Sequence, residues 1–270
     1  MTLPGTDGCY MTLTKSISPV VIVLSVVVTH ARFVAAQEPL DGFSARTFQG
    51  ATGVKMPFRL FVPHEEARTE PLPAIIYLHG GSGAGTDNVK QISGHNTPGT
   101  RVWTTPVMQA RHPAFVIAPQ LPGRNQWSAP NSDALAPYAA LVVELLASLS
   151  REFAIDGKRV YLVGQSRGGR GTWDLISKRP DLFAAAVPVC GDGNTVRVVN
   201  ARRVPVWAFH GAKDTVIPVT GSRDMVAALR AVGGSVKYTE YPDAGHNVWG
   251  LAFAEPELPK WLFSQERNRR

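Results

Sequence analysis

The chain has 270 residues, with 28 Lys and Arg against 21 Asp and Glu, a formal charge of +7 and 44% hydrophobic residues. That apolar content suits a large folded core, and the charge is dispersed apart from Arg267-Asn268-Arg269-Arg270, so neither a disordered chain nor a nucleic-acid partner is indicated. Two cysteines, Cys9 and Cys190, with no CxxC or Cys/His cluster, exclude a disulfide scaffold and a structural metal site.

The first segment reads as an export signal. Residues 17–28 are an apolar run, Lys15 precedes it, and Phe33-Val34-Ala35-Ala36 follows it. The run is too short to span a bilayer comfortably, and small residues close it, so a cleaved signal peptide is favoured over an uncleaved anchor. We place the cut between Ala36 and Gln37, with Met11 as an alternative start. Residues 37–270 then form one α/β catalytic domain, secreted or periplasmic, with no stable membrane insertion. Removing Asp7, Lys15 and Arg32 takes the charge from +7 to +6 and leaves Cys190 as the sole cysteine.

Residues 37–52 are polar and predict no element. Met56 to Val62 alternates enough for an early strand. Ala74 to Leu78 (A-I-I-Y-L) is an uninterrupted apolar run, the mark of a strand buried on both faces. It leads into His79-Gly80-Gly81-Ser82-Gly83. A short helix is expected near Thr105 to Ala110, a buried strand over Ala114 to Ala118, and a long helix over Ala136 to Phe153. Val160 to Val163 is the next strand, followed by a glycine turn and a helix over Thr172 to Lys178. Strands over Ala184 to Val189, Val204 to Phe209 and Val236 to Tyr241 follow, with helices over Val219 to Ala231 and Glu255 to Phe263. Such alternation predicts an open, mainly parallel sheet with helices on both faces, and a ligand site beyond the carboxyl ends of the strands.

Gly164-Gln165-Ser166-Arg167-Gly168 is G-x-S-x-G between a strand and a helix, the context of a nucleophile elbow. A serine hydroxyl needs a base, and the base needs an orienting acid. Asp214 follows one strand in H-G-A-K-D, and His246 follows another in D-A-G-H-N. The order Ser166, Asp214, His246 is that of a hydrolytic triad on an α/β sheet. Asp192 is the rival acid, and Asp243 is expected to shape the loop of His246. His79 and His210 are expected to bond backbone groups in tight turns, and His64, His95 and His112 to lie at the surface. An oxyanion needs two donors: the backbone N–H of Arg167 is one, and that of Gly81 is the choice for the other. No cofactor or metal is called for.

The segments Y-L-H-G-G, V-I-A-P-Q, G-Q-S-R-G-G-R-G-T-W-D, A-F-H-G-A-K-D-T-V-I-P and A-G-H-N-V-W together resemble the α/β-hydrolase superfamily. More narrowly, they resemble the secreted "predicted peptidase" group of carboxylesterases, relatives of dienelactone hydrolases, feruloyl-type esterases and polyhydroxybutyrate depolymerases. The resemblance covers about Ala74 to Phe263. It implies an α/β-hydrolase fold, Ser166, Asp214 and His246 as nucleophile, acid and base, and Gly81 and Arg167 as oxyanion donors. Dienelactone hydrolases use a cysteine nucleophile, so serine here argues against that activity. Relatives commonly carry methionine where this chain has Arg167, and a cation there favours a carboxylate or sugar-acid group on the substrate.

Gly191 to Arg203 is too short for an inserted cap domain. An uncapped site suits bulky, aryl or polymer-linked esters, including polysaccharide-linked ones. Gln165 and Trp127 are candidates for substrate contact, although Trp127 can equally pack its own loop. The remaining alternatives are a serine peptidase of the prolyl-oligopeptidase type and a non-catalytic binding protein on the same fold.

Overall fold

Charge-free apolar runs dictate where the sheet forms, because a strand covered on both faces has no side for a polar group. The computed structural model describes residues 40–267, together with 1, 2 and 5. The export segment expected over residues 1–36 otherwise falls outside these residues. The strands are β1 (Phe43–Gln49), β2 (Lys55–Phe61), β3 (Leu72–Leu78), β4 (Phe115–Pro119), β5 (Ile155–Gln165), β6 (Ala185–Val189), β7 (Val206–Gly211) and β8 (Val236–Tyr241). They form one sheet in the order β1-β2-β4-β3-β5-β6-β7-β8. The β1–β2 and β2–β4 pairs are antiparallel and the pairs from β4 through β8 are parallel.

The helices are α1 (Thr97–Thr104), α2 (Pro106–Arg111), α3 (Pro137–Glu152), α4 (Arg167–Lys178), α5 (Val219–Ala231), α6 (Trp249–Phe253) and α7 (Glu257–Phe263). Two separate cores show that both faces of the sheet are covered. Ala74, Ile76, Leu78, Val160 and Leu162 pack with residues of α3, α4 and α5. Their alternates Ile75, Tyr77, Tyr161 and Val163 pack with residues of α1, α6 and α7. The period of two along β3 and β5 sends successive side chains to opposite cores. This is the α/β-hydrolase fold, and no cap domain interrupts the described residues.

Three elements depart from expectation. The stretch predicted to be featureless contains β1, an edge strand whose exposed face is polar. A helix over Thr97–Thr104 was not expected from a segment that opens Thr-Pro-Gly. It packs closely on β3: a Cβ on Gly99 would stand 2.2 Å from the Tyr77 ring. The closing helix expected over Glu255 to Phe263 is α7, and an unexpected short helix, α6, precedes it, separated by Ala254, Glu255 and Pro256.

Candidate active site

Ser166 stands between the carboxyl end of β5 and the first residue of α4, with φ 54° and ψ −117°. A non-glycine residue at positive φ costs energy and persists only when its surroundings hold it. Here its N–H donates to the Val189 carbonyl at 2.8 Å, and its carbonyl accepts from Arg170 N–H at 3.0 Å. The flanking glycines explain how the chain fits. A Cβ on Gly164 would meet the Gly168 carbonyl at 2.5 Å, and one on Gly168 would meet the Leu78 carbonyl at 1.8 Å. Both contacts are with backbone, so neither can yield by rotating a side chain. Gly168→Ala should therefore destabilise the protein by about 3 kcal/mol, read as a lower urea midpoint at unchanged slope.

The structure brings Ser166, Asp214 and His246 into one hydrogen-bonded chain. Ser166 Oγ lies 2.8 Å from His246 Nε2, and His246 Nδ1 lies 2.7 Å from Asp214 Oδ2. Asp214 only accepts, so His246 Nδ1 carries the proton and Nε2 faces the serine as an acceptor. The other oxygen of Asp214 accepts from the N–H groups of Val216 and Ile217 at 2.8 and 2.9 Å. Burial pushes the Asp214 carboxyl up, but the hydrogen bonds from His246, Ile217 and Val216 outweigh it and hold the group below the usual carboxylate range.

Among the described residues, no protein acceptor takes the N–H of Gly81 or of Arg167. Arg167 opens α4, so its N–H carries the positive end of the helix dipole. The Gly81 loop is fixed from beneath by Asn96, which is wholly buried. Asn96 Oδ1 accepts from Gly80 N–H at 3.0 Å and from the Tyr77 hydroxyl at 3.1 Å, and its amide nitrogen donates to Ser82 Oγ at 3.2 Å. No motif marks Asn96 in the sequence, because its role depends on reaching a loop sixteen residues away.

His79 is buried, and its ring spans two backbone groups, as expected. Nδ1 meets the Gly80 carbonyl at 2.6 Å and Nε2 accepts from Leu121 N–H at 2.9 Å. Burial pushes this imidazole down to about 4, so it stays neutral as a brace. His210 corrects the expectation for it. It lies within β7, fully buried, and bonds the side chains of Asp214 and Ser222 at 3.0 and 2.7 Å as well as the Ile217 carbonyl. The rival acid Asp192 is occupied by Arg170 at 2.5 and 3.0 Å, and Asp243 pairs with Lys213 at 2.8 Å.

Of the two readings open for Trp127, substrate contact and packing, the structure has packing. It is 0% exposed and forms no wall of the site. Its indole N–H donates to the His79 carbonyl at 3.2 Å, and its ring meets the His79 ring edge-on. The absence of a side chain at Gly171 admits it, since a Cβ there would stand 2.4 Å from that of Trp127. Gln165 does border the cleft, but from the floor: it is 1% exposed, and its amide nitrogen donates to the His95 carbonyl at 2.9 Å.

The cleft at Ser166 measures about 360 Å³, and its walls are Ser82, His95, Asn247 and Trp249 around Gly81 and His246. Trp249 meets the rings of His95 and His246 edge-on. His95 is thus a wall residue as well as a surface one. Trp249 was open to prediction, lying three residues beyond His246 at the start of α6. A larger hollow of about 820 Å³ includes Ala184 and Pro205, beside the amino ends of β6 and β7, at the end of the sheet opposite Ser166.

The Arg167 guanidinium stands beside the Gly81 loop, 3.8 Å from where a Cβ on Gly81 would be. It makes two long contacts, 3.5 Å each, to the carbonyls of Gly123 and Asn125, and no carboxylate among the described residues pairs with it. Cys190, the free thiol among the described residues, is buried behind His246 and contacts its carbonyl at 3.3 Å. Burial pushes that thiol up to about 12, so it is no nucleophile. Cys190, His210 and Asp214 place potential metal ligands together. Asp214, however, already takes four hydrogen-bond donors, which leaves no lone pair for an ion.

Residues 130–260, just under half the chain, match the Dienelactone hydrolase family. A crystal structure of a thermostable esterase is 38% identical, with a TM-score of 0.80 over 84% of this chain and 64% of that one. An uncharacterized secreted protein of Arthroderma benhamiae is 32% identical over 127 residues, 36% of this chain and 14% of the other. A bifunctional acetylxylan esterase/xylanase of Neocallimastix patriciarum is 36% identical over 77 residues, 28% of this chain and 11% of the other. The chain therefore spans under a sixth of the length of these two curated relatives. Among the described residues, no helix is long and apolar enough to cross a membrane.

Proposed function

We propose that this chain, which is similar to esterases of the α/β-hydrolase superfamily, is an exported serine carboxylic-ester hydrolase. The observation that carries this reading is the unbroken chain from Ser166 Oγ through His246 to Asp214 Oδ2, at 2.8 and 2.7 Å. Ser166 Oγ attacks the ester carbonyl carbon while His246 Nε2 takes its proton. The carbonyl oxygen becomes an oxyanion, which the N–H groups of Gly81 and Arg167 receive. The imidazolium formed is held against Asp214, then gives its proton to the departing alcohol oxygen as the carbon–oxygen bond breaks. Water attacks the acyl-enzyme, His246 takes its proton, and Ser166 recovers it as the acid leaves.

The substrate reading rests on the shape of the site. With no cap over the described residues and a cleft of about 360 Å³, one part of an ester fits inside and the rest extends into solvent. Trp249 and His95 supply an aromatic wall for an aryl or sugar group. The acetylxylan esterase/xylanase among the relatives supports a polysaccharide-linked ester. Residues 1–36 direct export and are removed, a reading supported by the apolar run before Ala36 and by the secreted relative.

A side-by-side assay tests the proposal, using short p-nitrophenyl esters, feruloyl esters, acetylated xylan, a polyester and a peptide amide. Turnover of at least one ester class with the amide uncleaved is expected. Cleavage of the amide alone would make the protein a peptidase.

The Arg167 guanidinium, which no carboxylate among the described residues pairs with, gives a further expectation about preference. A charge-assisted hydrogen bond to a substrate carboxylate favours acidic esters over neutral ones of equal size. In Arg167→Met the ratio of kcat/KM for 4-nitrophenyl hemisuccinate to that for 4-nitrophenyl butyrate should fall about fivefold. Effects transmitted through the backbone donor act on both esters alike and cancel in the ratio. An unchanged ratio would remove Arg167 from substrate choice.

A further inference from the structure

Two imidazoles share one oxygen of Asp214. His246 Nδ1 reaches Oδ2 at 2.7 Å, and His210 Nε2 reaches the same oxygen at 3.0 Å. His210 Nε2 also lies 3.0 Å from the Ile217 carbonyl. Both of these oxygens only accept, so His210 Nε2 carries a proton and donates to them. Nδ1 on the other side of the ring is then an acceptor for the Ser222 hydroxyl at 2.7 Å, and the Gly191 carbonyl lies 2.8 Å from the same hydroxyl oxygen. Ser222 is wholly buried in α5, so the ring is clamped between a helix and its own strand.

The consequence falls on Asp214. Oδ1 accepts two backbone N–H groups and Oδ2 accepts two imidazole N–H groups, which uses all four lone-pair directions of the carboxylate. Rotation about the Cβ–Cγ bond would break several of these bonds at once. Without His210, the imidazole left on Oδ2 would be His246, the group that must move protons, with the Cys190 thiol beside the carboxylate. A histidine filling space in a core needs only backbone partners. This one instead bonds the acid of the proposed reaction.

We propose that His210 is a positioning residue of the hydrolytic reaction, fixing Asp214 Oδ2 toward His246 so that His246 Nε2 stays on Ser166 through both proton transfers. His210 touches neither the cleft nor the serine, and acts only through Asp214. The inference rests on the serine hydrolase reading above.

The test compares His210→Leu, which fills space without donating, with His210→Gln, whose amide N–H can still donate to Oδ2. The readouts are kcat and KM for a neutral p-nitrophenyl ester, each scaled to the sites titrated by a fluorophosphonate. Scaling removes any loss that comes from unfolded protein. His210→Leu should lower kcat about 10- to 100-fold with KM within about twofold, since small misplacement of a reacting group costs on that scale. His210→Gln should recover most of the loss. Parental kcat per titrated site in His210→Leu, or no recovery in His210→Gln, overturns the proposal. Should His210→Leu not fold, Ser222→Ala carries the test: kcat per site falls at constant KM if the clamp matters, and an unchanged kcat overturns it. Failure of the hydrolase reading is distinguishable, because the parent itself would then neither turn over the ester nor take the label.

Discussion

Ser166→Ala lowers kcat for a short p-nitrophenyl ester by on the order of 10⁶-fold, leaving the residual rate that the oxyanion donors and binding still supply. The size follows from how many functions meet at one oxygen. In the proposed reaction Ser166 Oγ is the attacking atom, His246 Nε2 stands 2.8 Å away to activate it, and the strained turn aims it at the cleft. No nearby group replaces it. The Cys190 thiol is buried and pushed up to about 12. Ser82 lies in the wall of the cleft with its hydroxyl engaged by Asn96. The fold should survive the change, because the backbone bonds of residue 166 to Val189 and Arg170 do not use the side chain. The check is a melting temperature close to the parent's beside the lost rate.

Asp214→Asn should cost about 10⁴-fold in kcat. The usual argument is that an amide presents the wrong hydrogen-bonding group to the imidazole. Here the geometry is stricter. Each carboxylate oxygen accepts two donors, so an amide nitrogen at either position faces two N–H groups. Turned one way it opposes Val216 and Ile217. Turned the other way it opposes both histidines, and His246 must then offer a bare Nδ1 and turn its N–H toward the serine. The variant should also melt below the parent, because buried donors are left unpaired. Stopped-flow kinetics should show acylation slowed by the same factor as turnover.

The parts of the fold that were legible were those where one strong force decides. β3 is seven residues with every side chain buried, and a run such as A-I-I-Y-L has no other stable home. The span of α5 and that of β8 were both predicted to the residue, because a helix pattern closed by glycines is followed directly by a strand. Elements set by weaker or distant causes were not visible. β1 is an edge strand of F-S-A-R-T-F-Q, whose pairing with β2 supplies what its own composition lacks. α1 depends on Tyr77 accepting a glycine against its ring.

The same division runs through the site. Ser166, Asp214 and His246 each follow a strand, and parallel topology alone puts such residues at one edge. The sequence order then suggests which three should meet. Their supports are another matter. Trp127 looks like a site aromatic until Gly171 is seen to admit it into the core. His210 looks like a turn histidine until Asp214 is found against its ring. Asn96 carries no signal, yet it holds the Gly81 loop. Each of these roles depends on which side chain a distant segment presents, and that is decided by packing rather than by local pattern.

The most direct test of the central claim is to label the protein to completion with a fluorophosphonate and map the adduct by mass spectrometry. Trypsin releases residues 160–167, a peptide in which Ser166 is the sole serine. One phosphonyl group per chain on Ser166, rising in step with loss of ester hydrolysis, is the expected result. An adduct at any other residue, or full hydrolysis by a chain labelled at Ser166, would contradict the assignment of Ser166 as nucleophile.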